Sequence, residues 1–221
     1  MSATLPRAAH NRTRAPRWER RKESRPAELI AAALELFVEH GFAATRLDEI
    51  AARAGVSKGT LYLYFESKED LFKAVIRENL VPLLADFQHS LEAIDEPATD
   101  SLARFLRTWW DCFGATRLAG IAKLILSEAA HFPDLARFFH DEVIARNDAL
   151  LASIVQRGVA RGELRPIDPR AACQFWLAPL VLKAIWSNSF DALYPPQTRL
   201  SPAQFLDAHI EFVLASARTA P

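Results

Sequence analysis

The chain has two cysteines, Cys112 and Cys173, each inside an apolar helical pattern. Two such thiols make neither a disulfide framework nor a metal set, and they suit a reducing cytosol. No apolar run reaches the ~18 residues that a membrane span needs. The arginine-bearing N-terminus has no apolar stretch of the kind a secretory signal carries. A cytoplasmic protein with no membrane partner is expected. The sequence shows no strand alternation, no internal repeat and no low-complexity tract beyond the N-terminus. It also has no nucleophile motif, no glycine-rich phosphate loop and no metal-spaced cluster, and His131 and His140 stand isolated. The expectation is a non-enzyme with no catalytic residue, no cofactor and no metal. Net charge is lacking as well: Lys and Arg number 27, Asp and Glu 27. Taken over the whole chain, that balance argues against a polyanion partner.

The distribution of charge reverses this last exclusion. Residues 1–77 hold 14 Lys and Arg against 10 Asp and Glu, whereas residues 78–221 hold 13 against 17. A basic front on an acidic back suits a nucleic-acid-binding head on a soluble body. The 221 residues, 50% of them hydrophobic, are enough for a sizeable core. Residues 1–24 carry Arg7, Arg12, Arg14, Arg17, Arg20, Arg21 and Lys22 beside Pro6 and Pro16, and read as a disordered basic arm. Such an arm is either a solvated tail or a source of extra phosphate contacts.

Helical spacing of apolar residues runs through the rest of the chain. A first helix is expected over 25–40, with Pro26 at its first position, a buried stripe of Leu29, Ile30, Ala33, Leu36 and Phe37, and Gly41 as its stop. The stretch 45–72, TRLDEIAARAGVSKGTLYLYFESKEDLF, reads as a helix, a turn, a second short helix and the start of a third. Thr45 caps the first of these, with Asp48 three residues on. Gly55 supplies a positive φ in the turn and Val56 plugs the angle between the helices. Ser57 caps the next helix, whose Leu61 and Phe65 must point inward. Ser67 caps a long helix from Lys68 to near Ile94, in which Pro82 removes a backbone donor and predicts a kink at 78–81. Further helices are expected at 99–115, 117–131, 133–161, 168–190 and 202–218.

A recognition helix offers its N-terminal residues to the major groove. Ser57, Lys58, Gly59 and Thr60 occupy that end here, and Lys58 reaches a guanine edge or a phosphate. Gly59 lets backbone approach DNA, which accounts for its helix-propensity cost of about 1 kcal/mol. The phenols of Tyr62 and Tyr64 suit phosphate oxygens. Lys68 stands at a helix N-terminus, where free N–H groups and the peptide dipole already favour a phosphate, and Thr45 stands at the matching place on the preceding helix. Leu63 is open between two readings: contact with a thymine methyl, or no reading role.

The run AGVSKGTLYLYFESKEDLF at 54–72, with DEIA at 48–51 and LELFVEHGF at 34–42, strongly resembles the TetR/AcrR family of bacterial regulators over residues 25–80. EAAHFPDLARFFHDEV at 128–143 and RGVARGELRPIDPRAA at 157–172 look like the C-terminal domain of AefR-like members. The resemblance implies an all-α fold of about nine helices. Residues 25–72 would form a helix-turn-helix DNA-binding head, and 73–221 a helical ligand-binding and dimerisation domain. It implies a dimeric repressor that leaves a double-stranded, pseudo-palindromic operator when a small molecule binds. An activator of the same fold and a ligand-independent DNA-binding protein are the alternatives. Family members often carry an aromatic or polar side chain where this chain has Leu63, which leaves the operator sequence open.

In the body, Phe105, Trp109 and Phe113 share one helix face and are the expected wall of an effector cavity. Trp176 is a further wall candidate, with Glu128 and His131 as its polar groups. Few polar fixers suit a hydrophobic or aromatic effector. The last two helices bear apolar stripes with little chain left to cover them. Phe175, Pro179, Leu180, Phe205, His209, Phe212 and Val213 are therefore assigned to a homodimer interface, with burial inside the protomer as the alternative.

Overall fold

The computed structural model describes residues 17–92, 94–193, 195 and 200–219. The first 16 residues of the expected arm lie outside these, and 17–24 are helical rather than disordered. Arg, Glu and Lys, which fill this stretch, are good helix formers. The first helix, α1 (Arg17–His40), therefore starts eight residues earlier than the sequence suggested, and Pro26 lies inside it instead of at its first position.

The remaining helices are α2 (Leu47–Arg53), α3 (Lys58–Tyr62), α4 (Lys68–Asn79), α5 (Val81–Glu92), α6 (Ala98–Trp109), α7 (Ala119–Glu128), α8 (Pro133–Phe139), α9 (Ala145–Ala160), α10 (Pro169–Ser187) and α11 (Pro202–Ala217). The helix ladder breaks at Leu80, two residues before Pro82, so α4 and α5 are one rod in two pieces. A π turn, His140–Ile144, joins α8 to α9 in a second composite rod, and another, Trp110–Gly114, extends α6. Counted as rods, the described residues form nine helices.

The ends follow local chemistry. Gly41 and Gly55 take φ of 85° and 67°, a region that costs side chains with a Cβ. Ser57 and Ser67 accept from the N–H of Thr60 and Asp70, at 3.1 and 3.0 Å, and Ser201 accepts from Gln204 N at 3.2 Å. The start of α2 departs from expectation. Its cap is Arg46, whose N–H donates to Glu49 Oε2 at 3.4 Å.

Two apolar cores result. One joins α5, α6, α9, α10 and α11 through residues such as Phe105, Leu106, Ile154, Trp176 and Leu180. The other is centred on the helix-turn-helix, where Phe37, Phe42 and Phe72 meet with ring centroids 5.3–5.5 Å apart. This second core does not stop at α4. Ile121, Leu124 and Ile125 of α7, Leu135 and Phe139 of α8, and Val143 belong to it, and Phe132 sets its ring edge-on to Phe42 at 4.8 Å. Gly120 of α7 lies so close to α1 that a Cβ there would meet Val38 Cγ1 at 2.5 Å.

Candidate DNA interface and effector cavity

The recognition edge is small and polar. Ser57, Lys58 and Gly59 are exposed at the start of α3, Thr60 is half-buried, and Ser57 Oγ lies 2.9 Å from Thr60 Oγ1. Leu61 is buried beneath them and fixes which way the helix faces. Tyr62 projects outward and Leu63, which caps α3, is 81% exposed. Of these six residues five are exposed and Thr60 is half-buried. Three other expected contacts do not join them as free groups.

Thr45 is only 1% exposed, and its hydroxyl donates to Leu36 O and Gly41 O at 3.1 and 2.6 Å. It fastens the α1–α2 connection from inside and has no face for a phosphate. Lys68 is also committed. Its ammonium donates to the carbonyls of Phe42, Ala43 and Thr45 at 2.7, 3.1 and 3.1 Å, and sits 4.6 Å from the centre of the Phe42 ring. A lysine has three N–H donors, and here all three have acceptors. Tyr64 is half-buried and packs on the helix-turn-helix core. The residue that sequence reasoning passed over is Arg46. It adjoins Thr45, opens α2 with a guanidinium facing outward, and pairs with Asp48 at 3.0 Å. The hydrogen bond from Arg46 holds the Asp48 carboxyl below its ordinary range.

Behind the head lies a cavity of about 630 Å³. Its walls come from both cores: Leu80, Ile125, Phe139 and Val143 from the head's, Phe87, Phe105, Cys173 and Leu177 from the body's. Leu84 touches both. The break at Leu80 is part of the wall, and so are both π turns, through Cys112 and Phe113 in one and His140, Val143 and Ile144 in the other. An i→i−5 turn rotates the following residues relative to a regular helix, a device often found at functional sites. Gly114 permits the first, since a Cβ there would strike the Trp110 ring at 2.6 Å.

Phe105, Trp109 and Phe113 line the cavity, with Trp109 and Phe113 ring centroids 5.0 Å apart. Glu128, His131 and Trp176 do not line it. Glu128 ends α7 against the head, its Oε1 3.4 Å from the N–H of Ala43. His131 is exposed in the α7–α8 turn. Trp176 points into the body core, and its carbonyl accepts a hydrogen bond from His209 Nε2 at 2.8 Å. The polar lining is instead Thr108, His140, Asn147, Asp148 and Gln174. Burial raises the Asp148 pKa, and burial together with the Asp148 charge pushes the Cys173 thiol up to about 11. The i, i+4, i+8 aromatic face was visible in the sequence. The π turns were not, because periodicity arguments assume 3.6 residues per turn throughout.

The expected dimer residues divide. Phe175 and Phe212 are 72% and 68% exposed, and Pro179 and Phe205 are half-buried. Leu180, His209 and Val213 are buried inside the protomer, because α10 and α11 turn those positions toward α6 and α9. Leu182 and Trp186, which continue the Phe175 face along α10, are exposed large apolar side chains that were not singled out.

The head residues 29–75 match the profile of bacterial regulatory proteins of the tetR family, and 96–194 match the tetracyclin repressor-like C-terminal domain. The chain belongs to the TetR family. It is 33% identical over 156 residues to the HTH-type transcriptional repressor KstR2 of Mycolicibacterium smegmatis, covering 69% of this chain and 73% of that one. With the HTH-type transcriptional activator FasR of the same organism it shares 44% identity over 78 residues, 35% of this chain and 33% of that one. The crystal structure of the transcriptional regulator FadR from Bacillus subtilis in complex with stearoyl-CoA superposes with a TM-score of 0.72 at 22% identity, over 86% of this chain and 98% of that one. This TetR-family chain is thus a DNA-binding transcription regulator and not an enzyme. Among its described residues, no helix is long and apolar enough to cross a membrane.

Proposed function

We propose that this protein is a cytoplasmic, homodimeric repressor that leaves a pseudo-palindromic operator when a small hydrophobic or aromatic effector enters the cavity. The observation that carries the reading is the double ownership of the cavity wall. One side belongs to the helix-turn-helix core and the other to the body core, so an occupant that prefers one spacing of the two cores would shift the position of the head. DNA and effector are then linked reciprocally. Support for repression comes from KstR2, which is named a repressor. The match to FasR, named an activator, lies over a head-sized segment and supports an activating role as the second reading.

On DNA, Ser57, Lys58, Gly59, Thr60, Tyr62 and Leu63 form the reading surface, with Arg46 as a phosphate contact in the place first given to Thr45. A helix-turn-helix pairs its half-sites through a dimer, and the exposed apolar face of Phe175, Leu182 and Phe212 supplies the pairing surface. Genome-wide binding followed by fluorescence anisotropy on the recovered duplexes tests the reading. The expected result is a specific site whose affinity falls when a cavity ligand is added. Equal affinity for specific and scrambled duplexes would sink it, and a reporter that rises with protein level would transfer the conclusion to the activator.

A further inference from the structure

Apart from the imidazole of His140, the charge-bearing side chain among the described lining residues is acidic. Among the described lining residues there is one carboxylate, Asp148 on α9, and no lysine or arginine. Asp148 accepts no side-chain hydrogen bond and joins no ion pair among the described residues. Its backbone carbonyl takes the Cys173 thiol at 3.4 Å. Asn147, next to it, already donates to Val143 O at 3.1 Å. His140, the imidazole of the wall, holds its Nδ1 2.9 Å from Asp141 Oδ1, and its charge also acts on Asp148. Arg146 and Arg157 line a separate groove of about 310 Å³ that shares only Leu84 with the cavity.

We propose that the effector is a cationic amphiphile: an alkyl- or arylammonium whose N–H donates to the Asp148 carboxylate while its apolar body lies among Phe87, Phe105, Trp109 and Phe113. This rests on reading the cavity as the effector site. A half-buried carboxylate in an apolar wall, with no hydrogen-bonded partner among the described residues and only the charge of His140 acting on it, is under-compensated, and an ammonium brought by the ligand lowers that cost. The burial that raises the Asp148 pKa would be offset in the same way. An anionic head meets the opposite situation, with a like charge and no guanidinium or ammonium to receive it. The volume of about 630 Å³ lies within the range of pockets for drug-sized ligands. Ligand chemistry in this chain therefore differs from that of the stearoyl-CoA held by the FadR structure, whose phosphates need basic partners.

The test is calorimetric titration of the intact protein at pH 7 with dodecylammonium, dodecanol and dodecanoate below their micelle concentrations, and with stearoyl-CoA. Dodecylammonium is expected to bind at least about tenfold tighter than dodecanol, consistent with one charge-assisted hydrogen bond, and dodecanoate weakest. In Asp148→Asn the ammonium should fall to the level of dodecanol while dodecanol is unchanged. Dodecanoate or stearoyl-CoA binding as tightly as the ammonium overturns the proposal, as does an ammonium preference that survives Asp148→Asn. If that variant does not fold, the order of the three dodecyl ligands on the unmodified protein decides. Binding of dodecanol without an ammonium preference rejects the cationic class and keeps the cavity. Binding of none of them rejects the cavity reading and the proposal with it.

Discussion

Replacing Lys68 separates two accounts of one feature of the head, because a phosphate ligand and an internal fastener predict different measurements. The ammonium holds three carbonyls of the α1–α2 connection. Those of Phe42 and Thr45 are part-buried, and that of Ala43 is open to water. In Lys68→Ala the Ala43 carbonyl regains a water, so two of the three bonds count. At about 1.5 kcal/mol each for hydrogen bonds from a charged donor, the loss is about 3 kcal/mol. For a chain of this size that corresponds to a fall in Tm of about 6–12 °C. Thermal unfolding without DNA, followed by circular dichroism, reads it directly. Binding to the operator should weaken as the connection loosens, yet the slope of log K against log salt should stay the same, because no phosphate contact is lost. A Tm within a degree of the unmodified protein, together with a salt slope reduced by about one, would show that the ammonium faces phosphate after all.

Gly120→Ala should drive α7 off α1, since the new methyl meets Val38. A loss of about 1–3 kcal/mol from overpacking is expected in urea unfolding, with a change in DNA affinity although position 120 is remote from α3. Phe212→Glu, on an exposed face of α11, should give a monomer by light scattering with Tm nearly unchanged, while DNA affinity drops because one half-site remains. His209 is buried and donates to Trp176 O, and burial lowers its pKa below the ordinary 6.5. The unfolded chain therefore takes up a proton first as pH falls, and stability is present above 6.5 and lost from there toward the folded pKa. His209→Gln should flatten the decline in Tm between pH 7 and about 5.5, a window above the carboxylate range. Cys173, with its thiol pushed up to about 11, should resist alkylation at pH 8 in the folded protein and react once unfolded in urea.

How much of this was legible beforehand depends on the kind of interaction. Serine caps at 57 and 67 and the positive-φ glycines at 41 and 55 are local, and the sequence carried them. The break in the fourth rod followed from Pro82 for the same reason. Burial within a short helix was harder. Leu61 and Phe65 fall at a spacing that marks the inner face, but Tyr64 sits at the margin of that face and its packing depends on neighbours far along the chain. Thr45 and Lys68 make internal hydrogen bonds that the sequence did not reveal, because a threonine before a helix and a lysine at a helix start have two uses each. The carbonyls that claim them, between Leu36 and Thr45, are set by the path of the α1–α2 connection. The cavity's polar side was missed because Asp148 enters it after a π turn that no periodic pattern shows. Glu128 and His131 were drawn to it by proximity in sequence to an apolar helix, whereas the end of α7 faces the head.

The shared core has a consequence for anyone who would exchange parts between relatives. A cut after residue 72 looks natural along the chain, yet it would strip Phe42 of Phe132 and leave Ile121, Leu124 and Leu135 facing nothing. The isolated head would display a bare apolar flank. A chimaera built on one cut would join a head to α7–α8 residues shaped for another. Three cuts are required, one after the head and one on each side of the α7–α8 pair, so that the hairpin travels with the head it completes.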